Sequence, residues 1–111
     1  ITLKLDNNKI NDIRSLANLY KVQTLNLGSN SMVDISSLSK MTNLTELNLS
    51  NNEINDISVL SNLANLRVLN IQDNKLTENA TYLWLKSYFS TINILKSNGT
   101  DVRYNVISGD Q

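Results

Sequence analysis

Apolar side chains recur along this chain at a fixed stride of twenty-two residues. Leu3, Leu25, Leu47 and Leu69 form one column, and Leu5, Leu27, Leu49 and Ile71 the next. Ile10, Met32, Ile54 and Leu76 follow, then Ile13, Ile35 and Ile57, then Leu16, Leu38 and Leu60, then Leu19, Met41 and Leu63. Asn8, Asn30, Asn52 and Asn74 keep the same stride, each closing a phrase LxxLxLxxN in which Ile or Val also serves at the apolar places. A unit this short cannot close a core alone. It has to bury its apolar face against copies of itself, which makes the chain a solenoid.

Within one unit, Thr24, Leu25, Asn26, Leu27 and Gly28 alternate as a short strand does, with Leu25 and Leu27 inward and the other three outward. Stacked units set these strands side by side and parallel, so that the outward residues line one concave face. The asparagine after each strand stands where the chain turns inward. Its amide suits backbone groups that would otherwise be buried without partners, a structural role that outweighs ligand binding. Asp12, Asp34 and Asp56 form a second polar ladder, each before an isoleucine. They read as N-caps of short helical turns. A row of calcium ligands is the weaker reading, because calcium gathers about six to eight oxygens around one point and the ladder spreads one carboxylate per unit.

The pattern breaks after Leu76. Thr77 suits the cap of a helix from about Glu78 to Thr91, with Leu85, Phe89 and Ile92 on one stripe and Ala80, Trp84 and Tyr88 beside it. Such a helix would cover the leucine face of the last repeat, a role favoured over a partner groove built on Tyr82, Trp84 and Tyr88. Ile92 to Leu95 then reads as one more edge strand, Asn98 and Gly99 as a tight hairpin turn, and Val102 to Tyr104 as the returning strand. Asn105 to Gln111 carry little signal and read as a tail or linker stub.

These phrases resemble the leucine-rich repeat of the twenty-two-residue class, as in bacterial internalins and the eukaryotic phosphatase regulatory subunit. Val22 to Asn43 and Leu44 to Asn65 carry the pattern throughout, a unit from Leu66 carries it as far as Leu76, and a partial unit ends at Lys21. The resemblance implies an α/β fold: a right-handed solenoid with a parallel sheet on the concave face, short helical turns on the convex face, and a C-terminal helix plus hairpin cap. Repeats would occupy residues 1–76, the cap 77–104 and the tail 105–111. Internalin-type domains carry a helical N-terminal cap, whereas Ile1 already opens a strand. The expectation is that repeats or a cap precede it in a longer parent, and that the uncapped first unit offers a route to self-association.

Charge and composition then narrow the function. Ten acidic and ten basic side chains balance, so no positive patch is expected for nucleic acid or an anionic membrane. No apolar run is long enough to span a bilayer. The chain has no histidine to act as a base, no cysteine nucleophile or thiolate metal site, and no glycine-rich phosphate loop. Its serines lack a nucleophile-elbow context. Glu53 and Asp56 are close enough in sequence to meet, but with no pocket implied they read as a solvated face. The expectation is a protein that is not an enzyme and uses no cofactor or metal.

What remains is the concave strip, with Thr2, Thr24, Glu46 and Val68 in one column, Lys4, Asn26, Asn48 and Asn70 in the next, and Asp6, Gly28, Ser50 and Gln72 in a third. The candidate partner-binding residues are Thr24, Asn26, Glu46, Asn48, Ser50, Val68, Asn70 and Gln72, with Arg67 beside them. Trp, Tyr and Arg, the usual interaction hot spots, are missing from these columns. The leading reading is a non-enzymatic protein-binding module of a larger bacterial surface or secreted protein. An intracellular, cytoplasmic regulatory subunit of the phosphatase-binding class and a passive spacer for an adjoining domain are the alternatives.

Overall fold

The computed structural model describes residues 1–76 and 82–105, without the side chains of 82–84. Strands β1 (Thr2–Lys4), β2 (Thr24–Asn26), β3 (Glu46–Asn48), β4 (Val68–Asn70) and β5 (Asp101–Arg103) form one parallel sheet in chain order. Leu3 pairs with Leu25, Leu25 with Leu47 and Leu47 with Leu69, so the sequence stride is the sheet register. Opposite the sheet, three 3-10 turns stack at Arg14–Leu16, Ser36–Lys40 and Ser58–Asn62.

The core fills the space between strands and turns. Leu27, Met32, Leu38, Met41, Leu44, Leu49, Ile54, Leu60 and Leu63 are wholly buried. Each full burial of such a side chain contributes about 1.5–3 kcal/mol. In the first unit the same columns are less covered: Leu3, Leu5, Ile10 and Leu16 are partly buried, and Leu19 is exposed.

The turn after each strand is held by two adjacent polar columns. Asn7, Ser29, Asn51 and Asp73 have φ between 57 and 60, a left-handed conformation that Asn and Asp tolerate and Ser adopts less readily. The next residue is the ladder asparagine. Asn52 Nδ2 donates to the carbonyls of Leu27, Leu49 and Ser50, while its Oδ1 accepts from the Met32 amide. Asn30 and Asn74 repeat this arrangement. Backbone groups of two units are thereby paired where water is excluded, as expected from the sequence.

The aspartate ladder also caps, by a different geometry from a side-chain N-cap. The residue at the N-cap position is Ile13, Ile35 or Ile57, none of which makes a side-chain bond. The aspartate one residue earlier accepts the first free amide, from Arg14, Ser36 or Ser58, at 2.9–3.0 Å. This is an Asx turn.

The C-terminal end departs from the hairpin expected after a helix near 78–91. Helix α1 (Tyr82–Ser97) runs through Ile92 to Leu95, so that segment is not an edge strand. A short apolar run is compatible with either state. Here Tyr88, Ile92 and Leu95 fall four and three residues apart on one helical face, and all three are buried. Asn98 and Gly99 terminate the helix instead of reversing a strand pair. Gly99 has φ 91, its amide donates to the Lys96 carbonyl at 3.0 Å, and the Thr100 amide donates to Leu95 at 3.0 Å, the two bonds of a Schellman cap. β5 then joins β4 in parallel, with Val102 beside Leu69. The helix is the crossover that a parallel neighbour requires, so the cap is a lengthened last unit. Thr77, the segment 78–81 and the tail 106–111 lie outside the described residues.

Candidate functional site

The outward side chains of the strands line the concave sheet face, where strand alternation points Leu25 and Leu47 inward and their neighbours outward. A shallow hollow of about 250 Å³ is lined there by Thr24, Asn26, Glu46, Asn48, Val68 and Asn70, six of the nine expected site residues. Ser50, Gln72 and Arg67 stand outside it. Arg67 precedes β4, and its amide and carbonyl serve the sheet, donating to Thr45 and accepting from Asp101 at 2.8 Å each.

β5 extends the face by one strand. The register places Asp101 beside Val68 and Arg103 beside Asn70, and Arg103 lines the hollow. Sequence reasoning missed both, because the hairpin reading turned that strand away. The signal was the alternation Asp101, Val102, Arg103, Tyr104, which matches the polar and apolar order of Glu46, Leu47, Asn48, Leu49 in and after β3. The middle column is therefore Lys4, Asn26, Asn48, Asn70 and Arg103.

The three asparagines of this column share one local device. Asn26 Oδ1 accepts from the Gly28 amide at 3.0 Å, Asn48 Oδ1 from Ser50 at 2.9 Å and Asn70 Oδ1 from Gln72 at 3.0 Å. Since a backbone N–H requires an oxygen, the orientation of each amide group is fixed and its Nδ2 is left over. Among the described residues no protein acceptor takes these three Nδ2 groups, which are partly open to solvent. Gly28 matters here for its missing side chain: a Cβ would stand 3.1 Å from Asn48 Nδ2 and 3.2 Å from Asn26 Oδ1.

Other candidate chemistry does not assemble. The exposed carboxyl of Asp12 is held down to about 2 by its hydrogen-bonded pair with Arg14, at 2.7 Å, and then by the Arg14 amide. Asp34 is lowered by the Ser36 amide. These oxygens serve turns, and among the described residues no group of three His, Cys, Asp or Glu side chains converges on a metal position. Tyr88 is buried in the core, so it is no exposed anchor. A larger hollow of about 770 Å³ runs along the outer side of α1 past Leu85, Phe89 and Ile94. It is mostly apolar, and none of its lining residues belongs to the concave columns. No described helix is long and apolar enough to cross a membrane.

Comparison with known proteins fits this geometry. The family model described as leucine-rich repeats in two copies matches residues 42–97. An internalin (InlF) of Listeria monocytogenes is similar in structure, with TM-score 0.73 and 30% identity over 96% of this chain and 30% of that one. Internalin C2 of the same organism gives TM-score 0.71 and 28% identity over 93% of this chain and 41% of that one. The chain thus spans well under half the length of either. No curated protein sequence matches it.

Proposed function

The chain belongs to the leucine-rich repeat family, and on that footing we propose that it is a non-enzymatic protein-binding module of a larger bacterial surface or secreted protein, gripping its partner with the concave strand face. The observation that carries this is the contrast between columns. Leu25, Leu47 and Leu69 repeat without change inside the sheet, while on the concave face Thr24, Glu46 and Val68 differ from one another, as do Gly28, Ser50 and Gln72, around the constant Asn26, Asn48 and Asn70. A face that varies without disturbing the stack is free to be shaped by a partner. Similarity to internalins supports the surface or secreted placement.

The contacts would be hydrogen-bonded and wet, and the affinity modest, because the strip is polar and has no aromatic anchor. Thr24, Asn26, Glu46, Asn48, Ser50, Val68, Asn70 and Gln72 are the contact residues of this reading, with Arg67 at its margin. A second use is self-association of two copies through the first unit, where Ile1, Leu19 and Tyr20 are 69%, 41% and 61% exposed. Partner capture with Glu46, Asn48 and Asn70 all changed to Arg, set against Lys40→Ala with Glu53→Ala, tests the concave assignment. Binding lost only in the second variant overturns it. Turnover of an ester, phosphate or peptide by the purified chain would refute the non-enzymatic reading.

A further inference from the structure

Oxygen atoms are scarce in the middle concave column once the turns are made. The Oδ1 atoms of Asn26, Asn48 and Asn70 are each engaged by a backbone amide two residues on. What the column offers a partner is donors: three Nδ2 groups, with Lys4 at one end and Arg103 at the other. Lysine and arginine have no acceptor at all. The carboxylates of the face, Glu46, Asp101 and Asp6, belong to the two flanking columns, and among the described residues none is paired with Lys4 or Arg103.

We propose, on the footing of the concave-face reading above, that this donor column recognises an acidic α-helical segment of a partner protein, laid across the strands with one carboxylate per turn over the asparagines. Hydrogen-bond complementarity along the column selects the chemistry. Carboxylates accept only, and each bond they would make to Lys4 or Arg103 is charge-assisted. Spacing selects the helix. Adjacent strands lie about 4.8 Å apart, so the column rises one donor per about 4.8 Å and spans about 19 Å from Lys4 to Arg103. Side chains on one face of a helix recur about every 5.4 Å, a mismatch that flexible glutamates absorb over three rungs. Same-side residues of an extended strand recur about every 6.6 Å, so their mismatch grows by about 1.8 Å per rung and exceeds a whole rung after three. Gly28 assists by leaving the flank of Asn48 Nδ2 uncovered.

The test uses the whole chain labelled with ¹⁵N and an alanine-based helical peptide of about sixteen residues bearing Glu at i, i+4, i+7 and i+11, with its Lys counterpart as control. The Glu peptide is expected to shift the side-chain amide signals of Asn26, Asn48 and Asn70, with an affinity that falls as salt rises. The Lys peptide is expected to leave them in place. Changing Asn48 alone to Asp keeps the oxygen that its turn needs, removes the central donor and sets no two new carboxylates side by side. That variant should melt close to the parent and lose several-fold in affinity at low salt and also at high salt, where screening removes plain charge repulsion, and Arg103→Gln should lose several-fold without any change to the asparagines. Concave signals that shift while the Asp variant and Arg103→Gln keep full affinity would overturn the donor column and leave the concave reading standing. Shifts confined to the convex side, around Lys40 and Glu53, would overturn both. Absence of any shift at millimolar Glu peptide would overturn the acidic helix as the occupant.

Discussion

Asn52 Nδ2 reaches back to the Leu27 carbonyl at 3.0 Å, tying together two repeats at residues twenty-five apart in the chain. The same amide group also binds Leu49 and Ser50 and accepts from Met32. Replacing Asn52 with Ala would leave several buried backbone groups without partners, at about 1–3 kcal/mol for each that water cannot reach. A loss of at least about 3 kcal/mol is expected in urea unfolding. Asn8 holds the equivalent place in the first unit but donates only to Leu5 and Asp6 in its own turn, and it is exposed. Asn8→Ala should cost under about 1 kcal/mol. Equal losses at the two positions would contradict the inter-repeat role of the ladder.

The aspartate turns predict an acid dependence whose sign follows from the lowered carboxyls. Asp12 titrates at about 2 in the folded chain, against an ordinary value of 3.8, and Asp34 is lowered too. Between those limits the unfolded chain binds more protons than the folded one. The contribution is therefore complete above the ordinary carboxylate range and is lost as pH falls through the folded values. Asn at both positions keeps an oxygen for the Arg14 and Ser36 amides without titrating. The double variant Asp12→Asn, Asp34→Asn should show a shallower fall in melting temperature from about pH 4 to 2. A slope identical to the parent's would mean that these carboxyls are not linked to folding.

The repeat stack was legible because its cause is periodic: one residue type is needed at one place in every unit, as at Leu25, Leu47 and Leu69. The aspartate turns were legible in role and off by one residue in geometry. A cap and an Asx turn both need an oxygen next to a free amide, and sequence does not say which residue bends. The last unit was misread where the period stops. Val102 pairs with Leu69 although thirty-three residues separate them, so an inserted helix hid the return of the strand pattern. That error also hid Asp101 and Arg103 from the concave face. The three Nδ2 groups were beyond sequence reasoning, since they depend on where each Oδ1 is bonded.

Gly99 distinguishes the helix cap from the expected hairpin turn. Its φ of 91 is costly for any residue with a Cβ, yet the space around it is open. Gly99→Ala should therefore cost about 1 kcal/mol through backbone strain alone, without a steric clash. Gly99→Asn should recover part of it, because Asn is the second choice at a left-handed helix end. Chemical denaturation of the two variants checks the order. If Ala proved as stable as Gly, the left-handed cap would be wrong.

Residues 92–95 allow the sharpest test of the C-terminal unit, because helix and strand make opposite assignments there. In a strand, Ile92 and Ile94 would share one face and Leu95 the other. In α1 the inward positions are Ile92, at 2% exposure, and Leu95, at 0%, while Ile94 is 44% exposed on the outer side. Ile92→Ala and Leu95→Ala each delete buried methyl groups and should cost about 2–5 kcal/mol. Ile94→Ala should stay within about 1 kcal/mol, and its helix propensity offsets part of the lost contact. Since α1 covers the last 3-10 turn and leads into β5, the two costly variants should also bind a hydrophobic dye at temperatures where the parent does not. Thermal and urea unfolding of the three variants decides the matter. A large loss at Ile94 with little at Leu95 would restore the edge strand and remove Arg103 from the concave column.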